Sequence, residues 1–313
     1  MDGDDSMMKI ILDTDLAMGD LGADVDDGFA LALAIADPDI DLLAVTTVNG
    51  NTDVRSATRL SHRLLDKIGY DVPVYQGADR PLLRKPNHPI RDSEYEDVPA
   101  AMAIIDAIRR HPHEVTLVLI GPLTNIALAL RLDPGIAPLI KEVVIMGGVF
   151  LRHTNESGMP GEFNIWVDPE AARIVAESGM PLKFVGLDVT LQVRIDLDDA
   201  AALERSESAF AQYAGASTRA WIDFMAKRHP DSEPDQTSCA MHDPLAVAAV
   251  TQPDIVTWSK AYVTFATESE VTRGMAVADL LREENPPEPN CVIATEVDAD
   301  RFRSLFISRL QMI

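Results

Sequence analysis

The chain has only two cysteines in 313 residues, Cys239 and Cys291. They lie far apart without metal-ligand spacing and read as buried small apolar side chains or free thiols. A reducing, cytoplasmic setting is therefore expected. Basic residues are also scarce. Lys and Arg total 27 against 50 Asp and Glu, a formal net charge of −23 with a sequence pI near 4.5. Nucleic acid is not an expected partner, because phosphate binding needs a basic face. No apolar run approaches the roughly 18 residues of a membrane span, so no membrane contact is expected. The stretch Met1 to Ser6 is acidic and polar, without the basic and apolar regions of a signal peptide. Internal repeats and Gly- or Ser-rich linkers are missing too. Residues 1–313 thus read as one domain, and at 47% hydrophobic it is large enough for a sizeable core.

What is present is an acidic cluster at the end of an apolar run. Lys9-Ile10-Ile11-Leu12 reads as a short buried strand running into Asp13-Thr14-Asp15. A small-residue stretch leads on to Asp24-Val25-Asp26-Asp27 and an apolar helix from Gly28 to Ala36. Carboxylates crowded at a strand–helix junction repel one another unless a cation or a hydroxyl-rich ligand sits among them. Hard oxygens suit calcium or magnesium. A magnesium phosphohydrolase with Asp13 as nucleophile and Asp15 as acid would also begin with strand then Asp-x-Asp. An EF-hand is rejected, because Ala17 falls where a ligand oxygen is needed and Met18 replaces the required Gly. Helix capping by Asp24 or Asp26 accounts for one carboxylate, not five.

Strand-like runs recur at 42–48, 72–75, 115–120, 143–146 and 182–187, with helical patterns between them. Near-continuous apolar strands alternating with helices imply an α/β fold, an open, mostly parallel sheet covered by helices on both faces. A helix is expected from about Asp198 to Lys227, a small C-terminal hairpin near 262–278 joined to 292–295, and a closing helix from Asp298. In such sheets ligands bind beyond the carboxyl ends of the strands. Asp13, Asp15, Asn49, Asn51, Thr124, Asn125 and Asp188 all fall at such ends. The segments 79–98 and 229–239 are long and polar enough for lids.

Three further stretches combine a structural role with a chemical one. Asp168-Pro169-Glu170 is a strong helix start, while Glu162 and Asn164, two apart, would face one side of an extended segment and suit a diol. In His242-Asp243-Pro244, Asp243 either caps a helix or ligates a metal beside a proton-donating His242. In Gly121-Pro122-Leu123-Thr124-Asn125, Thr124 either starts a helix or lends its carbonyl to a metal.

Taken in order, these pieces resemble the nucleoside hydrolases, the inosine-uridine-preferring ribohydrolases. The resemblance includes Asp13-Thr14-Asp15 with Asp26-Asp27, Ala44 to Asn51 ending in Gly50-Asn51, Gly121 to Asn125, Glu162-Phe163-Asn164 with Asp168 to Ala172, His242-Asp243-Pro244 and Thr272-Arg273-Gly274. It implies a Rossmann-like core, a calcium ion, and hydrolysis of the N-glycosidic bond of ribonucleosides in purine or pyrimidine salvage. It implies Asp15 as calcium ligand and general base toward water. Asp27, the Thr124 carbonyl and Asp243 would be further ligands. Asp26, Asn51, Asn155, Glu162 and Asn164 would hold the ribose, and His242 would stand near the base. A homodimer or homotetramer is implied. The chain departs from the family in the long interval 16–25, in the one-residue offset of Asn155, and in matching the family's loop histidine only weakly, by His88. The regions around Tyr213 and Trp221 would contact the base. A non-catalytic calcium-dependent nucleoside- or ribose-binding protein is the remaining alternative.

Overall fold

The computed structural model describes residues 7–83, 98–152, 158–269 and 271–313. Along the first half run β1 (Met8–Thr14), α1 (Asp26–Ala36), β2 (Ile40–Thr47), α2 (Val54–Ile68), β3 (Val74–Gln76), α3 (Pro99–Arg110), β4 (Val115–Leu119), α4 (Thr124–Leu132) and β5 (Glu142–Met146). Then follow α5 (Phe163–Val167), α6 (Pro169–Ala176), β6 (Leu182–Val185), α7 (Leu187–Thr190), β7 (Arg194–Asp196), α8 (Leu197–Glu204), α9 (Ala209–Arg228) and β8 (Ser238–Ala240). The chain closes with α10 (His242–Thr251), β9 (Val256–Phe265), β10 (Ala276–Asp279), β11 (Cys291–Val297) and α11 (Ala299–Leu310).

Nine strands form one sheet in the order β10-β9-β11-β6-β5-β4-β1-β2-β3. The expected parallel α/β sheet is therefore present. Neighbours from β6 to β3 are parallel because each crossover is a helix, whereas β9 pairs antiparallel with both β10 and β11. The C-terminal hairpin is not a separate appendage, since β11 also pairs parallel with β6 and extends the main sheet. Both faces are covered, and side-chain alternation divides the core accordingly. Ile10 and Leu12 pack on one side with Phe29, Phe210, Phe302 and Phe306, while Ile11 packs on the other with Leu117 and Phe184.

Local chemistry sets the element ends. Asp53 caps α2 by accepting from the Arg55 and Ser56 amides, and Gly69 ends it with φ 76°. Asp298 caps α11 through the Arg301 amide. The single helix expected over 198–227 is two, because Ser208 accepts from the Ala211 amide at 3.2 Å and starts α9 afresh. The 229–239 segment is not open loop throughout. It contains a short 3-10 turn, Pro234–Gln236, and enters β8, which pairs with β7. Much of the other expected lid lies outside the described residues.

The strand order reverses at β1, which has β4 on one side and β2 on the other. That reversal opens a crevice at the carboxyl ends of these strands. Asp13 and Thr14 are the last residues of β1 itself, so the acidic cluster begins on the sheet.

Candidate active site

Five carboxylates converge where β1 meets the first turns of α1 and α10. Val25 precedes α1 without a side-chain cap, so Asp26 and Asp27 are first-turn residues and neither serves as the cap. Asp243 likewise sits in the first turn of α10, whose N-cap is Met241 without a side-chain bond. One carboxylate oxygen from each of Asp26, Asp27 and Asp243 falls within a 4.8 Å group, all three buried. Thr14 donates its hydroxyl to Asp27 Oδ1, and Asn51 Nδ2 donates to Asp27 Oδ2 at 3.0 Å. Asp15 Oδ2 accepts the Asn51 amide at 2.6 Å, while its Oδ1 is buried with no hydrogen-bond partner.

Burial, with mutual repulsion behind it, dominates the electrostatics. Asp15, Asp26 and Asp243 are held well above the usual carboxylate range, Asp27 is pushed up to about 7, and Asp24 to about 6. A cation would remove that cost. The donors are carboxylates only, which suits a hard metal. The orphaned Asp15 oxygen fits the same conclusion, since a buried acceptor without a partner is expensive.

Asp13 does something else. Its Oδ2 accepts from Thr46 Oγ1 at 2.7 Å and Asn125 Nδ2 at 2.8 Å, it is 2% exposed, and it lines neither cavity of the site. Burial raises it to about 7. What separates it from the equally buried Asp15 is this pair of donors, which suits a bracing role rather than the nucleophile of the phosphohydrolase alternative. Asp13 instead braces β1 against β2 and α4.

A cleft of about 220 Å³ opens on the cluster, lined by Asp24, Asp26, Asn51, Glu162, Asn164, His242 and Asp243 among others. Residues from widely separated stretches thus meet in one place. Glu162 and Asn164 reach it by a route the spacing did not suggest. They do not lie in an extended segment. Glu162 is the N-cap of α5, with Oε1 accepting the Asn164 amide at 2.7 Å and Oε2 the Gly148 and Ile165 amides. Asn164 Nδ2 donates to the Ile120 and Met146 carbonyls and so ties together the ends of β4 and β5. Arg273 forks onto Glu170 of α6, and Gly274 passes 2.7 Å (from its would-be Cβ) below the Trp166 Cα, so the Thr272-Arg273-Gly274 turn clamps α5 from behind.

Thr124 is not brought to the cleft. As the first residue of α4 its carbonyl runs along the helix toward residue 128, and its hydroxyl donates to Asp168 at 2.7 Å. The strand-end residue that lines the cleft is Ile120. Asp15 and Asp27 do not line the cleft either, and a carbonyl ligand can come from any residue. Asp168 is the cap the sequence suggested, accepting from the Ala171 amide. Asn155 and His88 lie outside the described residues.

His242 sits at the rim with Nδ1 2.7 Å from Thr190 Oγ1. Burial, and then the nearby Arg194 charge, lowers it to about 4, so the ring is neutral near pH 7. Beyond it lies a larger cavity of about 940 Å³, with Trp221 and Phe224 stacked 5.5 Å apart in its wall and with Trp166, Arg194 and Asp235 also lining it. Tyr213 is not in that wall. Its hydroxyl donates to the Met18 carbonyl at 2.7 Å and its ring lies under Arg63 and Lys67 of α2, so it anchors the 16–25 segment. The sequence offered no signal for Thr190 or Phe224 as site neighbours.

Known proteins similar to this chain are nucleoside hydrolases. The profile of the inosine-uridine preferring nucleoside hydrolases matches residues 10–304. The chain is 36% identical to the non-specific ribonucleoside hydrolase RihC of Salmonella enteritidis, covering 95% of each chain. It is 35% identical to the inosine-uridine preferring nucleoside hydrolase of Crithidia fasciculata, covering 97% of this chain and 98% of that one. Among solved structures, the plant nucleoside hydrolase PpNRh1 superposes with a TM-score of 0.85 at 28% identity, over 97% and 98% of the two chains.

Proposed function

This chain belongs to the inosine-uridine preferring nucleoside hydrolase family, and on that premise we propose how its own residues carry out the reaction. The reaction is hydrolysis of the N-glycosidic bond of a ribonucleoside to free base and ribose. The observation that carries the reading is one cleft in which buried Asp26, Glu162, Asn164 and Asp243 line a space beside a much larger, aromatic-walled one. A sugar fits the first and a base the second.

Asp15, Asp27 and Asp243 hold calcium in this reading, with Asp26 beside them. The oxygen-only donor set favours that ion over a soft metal. When bound, calcium supplies a Lewis-acidic centre that orients the ribose hydroxyls and makes water more acidic.

The remaining work belongs to the protein. Asp26, Asn51, Glu162 and Asn164 grip the sugar, whose ring gains positive charge as the bond to the base breaks. Asp15 takes the proton of the attacking water on Oδ1, its one oxygen without a partner. Neutral His242 faces the leaving base as a hydrogen-bonding group rather than as an imidazolium acid. The aromatic pair Trp221 and Phe224 offers a stacking surface to the base.

Calcium as the particular ion, a homo-oligomeric state, a role in nucleoside salvage and a cytoplasmic location belong to the same proposal. Two buried free cysteines accord with a reducing compartment. Among the described residues no helix is long and apolar enough to cross a membrane. The test is incubation with purine and pyrimidine ribonucleosides, with calcium or with chelator, assaying free ribose. Ribose is expected with calcium and not with chelator, and no ribose from any nucleoside would overturn the reading.

A further inference from the structure

The sugar cleft and the larger cavity share five lining residues: Asp24, Met159, Phe163, Leu187 and His242. A nucleoside with its ribose in the first and its base in the second must pass its glycosidic bond between them. Of the five, only Asp24 can bring a negative charge to that junction. His242 offers a neutral ring or a cation, never an anion.

Asp24 comes from the 16–25 segment, and that segment is firmly held. Asp20 and Ala23 amides close consecutive turns on the Ala17 and Asp20 carbonyls. Tyr213 binds the Met18 carbonyl, and Gly22, at φ 73°, lies against the Phe224 ring. Asp24 Oδ1 accepts the Val25 amide at 2.7 Å, a bond that fixes the carboxylate in place. The result is a half-buried carboxylate group, held in place at the boundary between sugar and base.

We propose that Asp24 is a catalytic residue of this enzyme, a fixed charge that contacts the substrate at the glycosidic junction and stabilises the cationic ribose as the bond breaks. The inference rests on the nucleosidase reading of the site. In the reaction the C1′–N bond breaks with its electron pair leaving on the base. The oxygen of one water bonds to C1′, that water gives up one proton, and the base gains one. Asp24 forms no covalent bond and transfers no proton. Its role is electrostatic, and a preorganised charge of this kind acts mainly on the transition state.

The test uses the full chain with calcium and two variants. Asp24→Asn keeps the size and an oxygen for the Val25 amide, and Asp24→Ser is smaller and neutral, should the new amide disturb Asp26. Each is expected to lower kcat on ribonucleosides by about tenfold or more while KM moves by less than about threefold. The second readout needs no turnover. A protonated pyrrolidine analogue of ribose mimics the charged transition state, and the variants are expected to bind it about tenfold more weakly while binding ribose itself almost unchanged. Equal losses for the charged analogue and ribose, or no loss for either, would overturn the assignment of Asp24. Absence of ribose release by the unmutated protein would instead strike the nucleosidase reading, and the analogue-to-ribose ratio would still decide the placement of Asp24.

Discussion

The backbone amide of Asp243 donates to Asp26 Oδ2 at 3.2 Å, across 217 positions of sequence. The bond joins the first turns of α10 and α1, both at helix N-termini, where partial positive charge favours a carboxylate. Packing between two apolar helices thus forces their acids together. Gly28, next to Asp27, leaves room for Met18 of the 16–25 segment, since a Cβ there would lie 2.6 Å from the Met18 side chain. The repulsion that remains is what a bound cation would relieve.

Without metal, the protein is expected to lose stability as the pH rises. Burial, then the Asp26 charge, pushes Asp27 up from 3.8 to about 7. A carboxyl whose folded pKa lies above its unfolded value stabilises the fold fully below the unfolded value. That contribution disappears as the pH climbs through the folded pKa. Melting curves in chelator should therefore shift to lower temperature between about pH 4 and pH 7. Saturating calcium should flatten the slope, and Asp27→Asn should reduce it. A chelated protein with a flat profile across that window would show that Asp27 is not raised by the fold.

Neutral His242 makes a kinetic prediction. Its pKa is lowered to about 4, so protonation of this ring adds no limb to the kcat profile between about pH 5 and pH 8. Thr190 orients the ring through Nδ1. Thr190→Val should cost about 1–2 kcal/mol of transition-state stabilisation, roughly a tenfold loss of kcat, with KM little changed. Steady-state rates across pH would check both points, and a His-like ionisation near pH 6.5 would refute the first.

Gly50 has no room for a side chain. A Cβ there would lie 1.9 Å from Asp15 Oδ2, so Gly50→Ala must move Asp15 or the loop that carries Asn51. Displacement of this order should lower kcat by about a hundredfold, because catalytic groups tolerate little misplacement. Calcium titration and ribose release on a folded variant are the measurements, and full activity would show that Asp15 is not held by this loop.

Tyr213→Phe removes one hydrogen bond to the Met18 carbonyl and leaves the ring beneath Arg63 and Lys67. The loss should be about 1 kcal/mol of stability, a drop in Tm of roughly 2–4 °C. Because the freed segment carries Asp24, kcat should fall as well. An unchanged Tm and kcat would mean that the loop is held by Phe224 and its own turns alone.

The alternation of apolar runs and helical patterns makes the parallel sheet legible, and with it the line of polar residues at the strand ends. Asp27, Asp26 and Asp243 are legible because a carboxylate beside an apolar stretch is costly to bury unless a ligand or a cation meets it. Two kinds of information are missing. A carbonyl ligand leaves no trace in residue type, so residue type cannot register that Ile120 lines the cleft. Spacing suggests strand geometry for Glu162 and Asn164, whereas a helix start at Phe163 turns them inward.

By itself the sequence determined which side chains are acidic, where strands end and helices begin, and that hydrophobic burial would bring those ends to one edge of a sheet. Only the tertiary structure decided how the carboxylates divide. Asp13 and Asp15 are two residues apart at the same strand end, yet Asp13 is consumed by Thr46 and Asn125 while Asp15 keeps a bare oxygen. The physical reason is that hydrogen-bond satisfaction and burial depend on neighbours from distant segments, and no local pattern records which neighbour arrives.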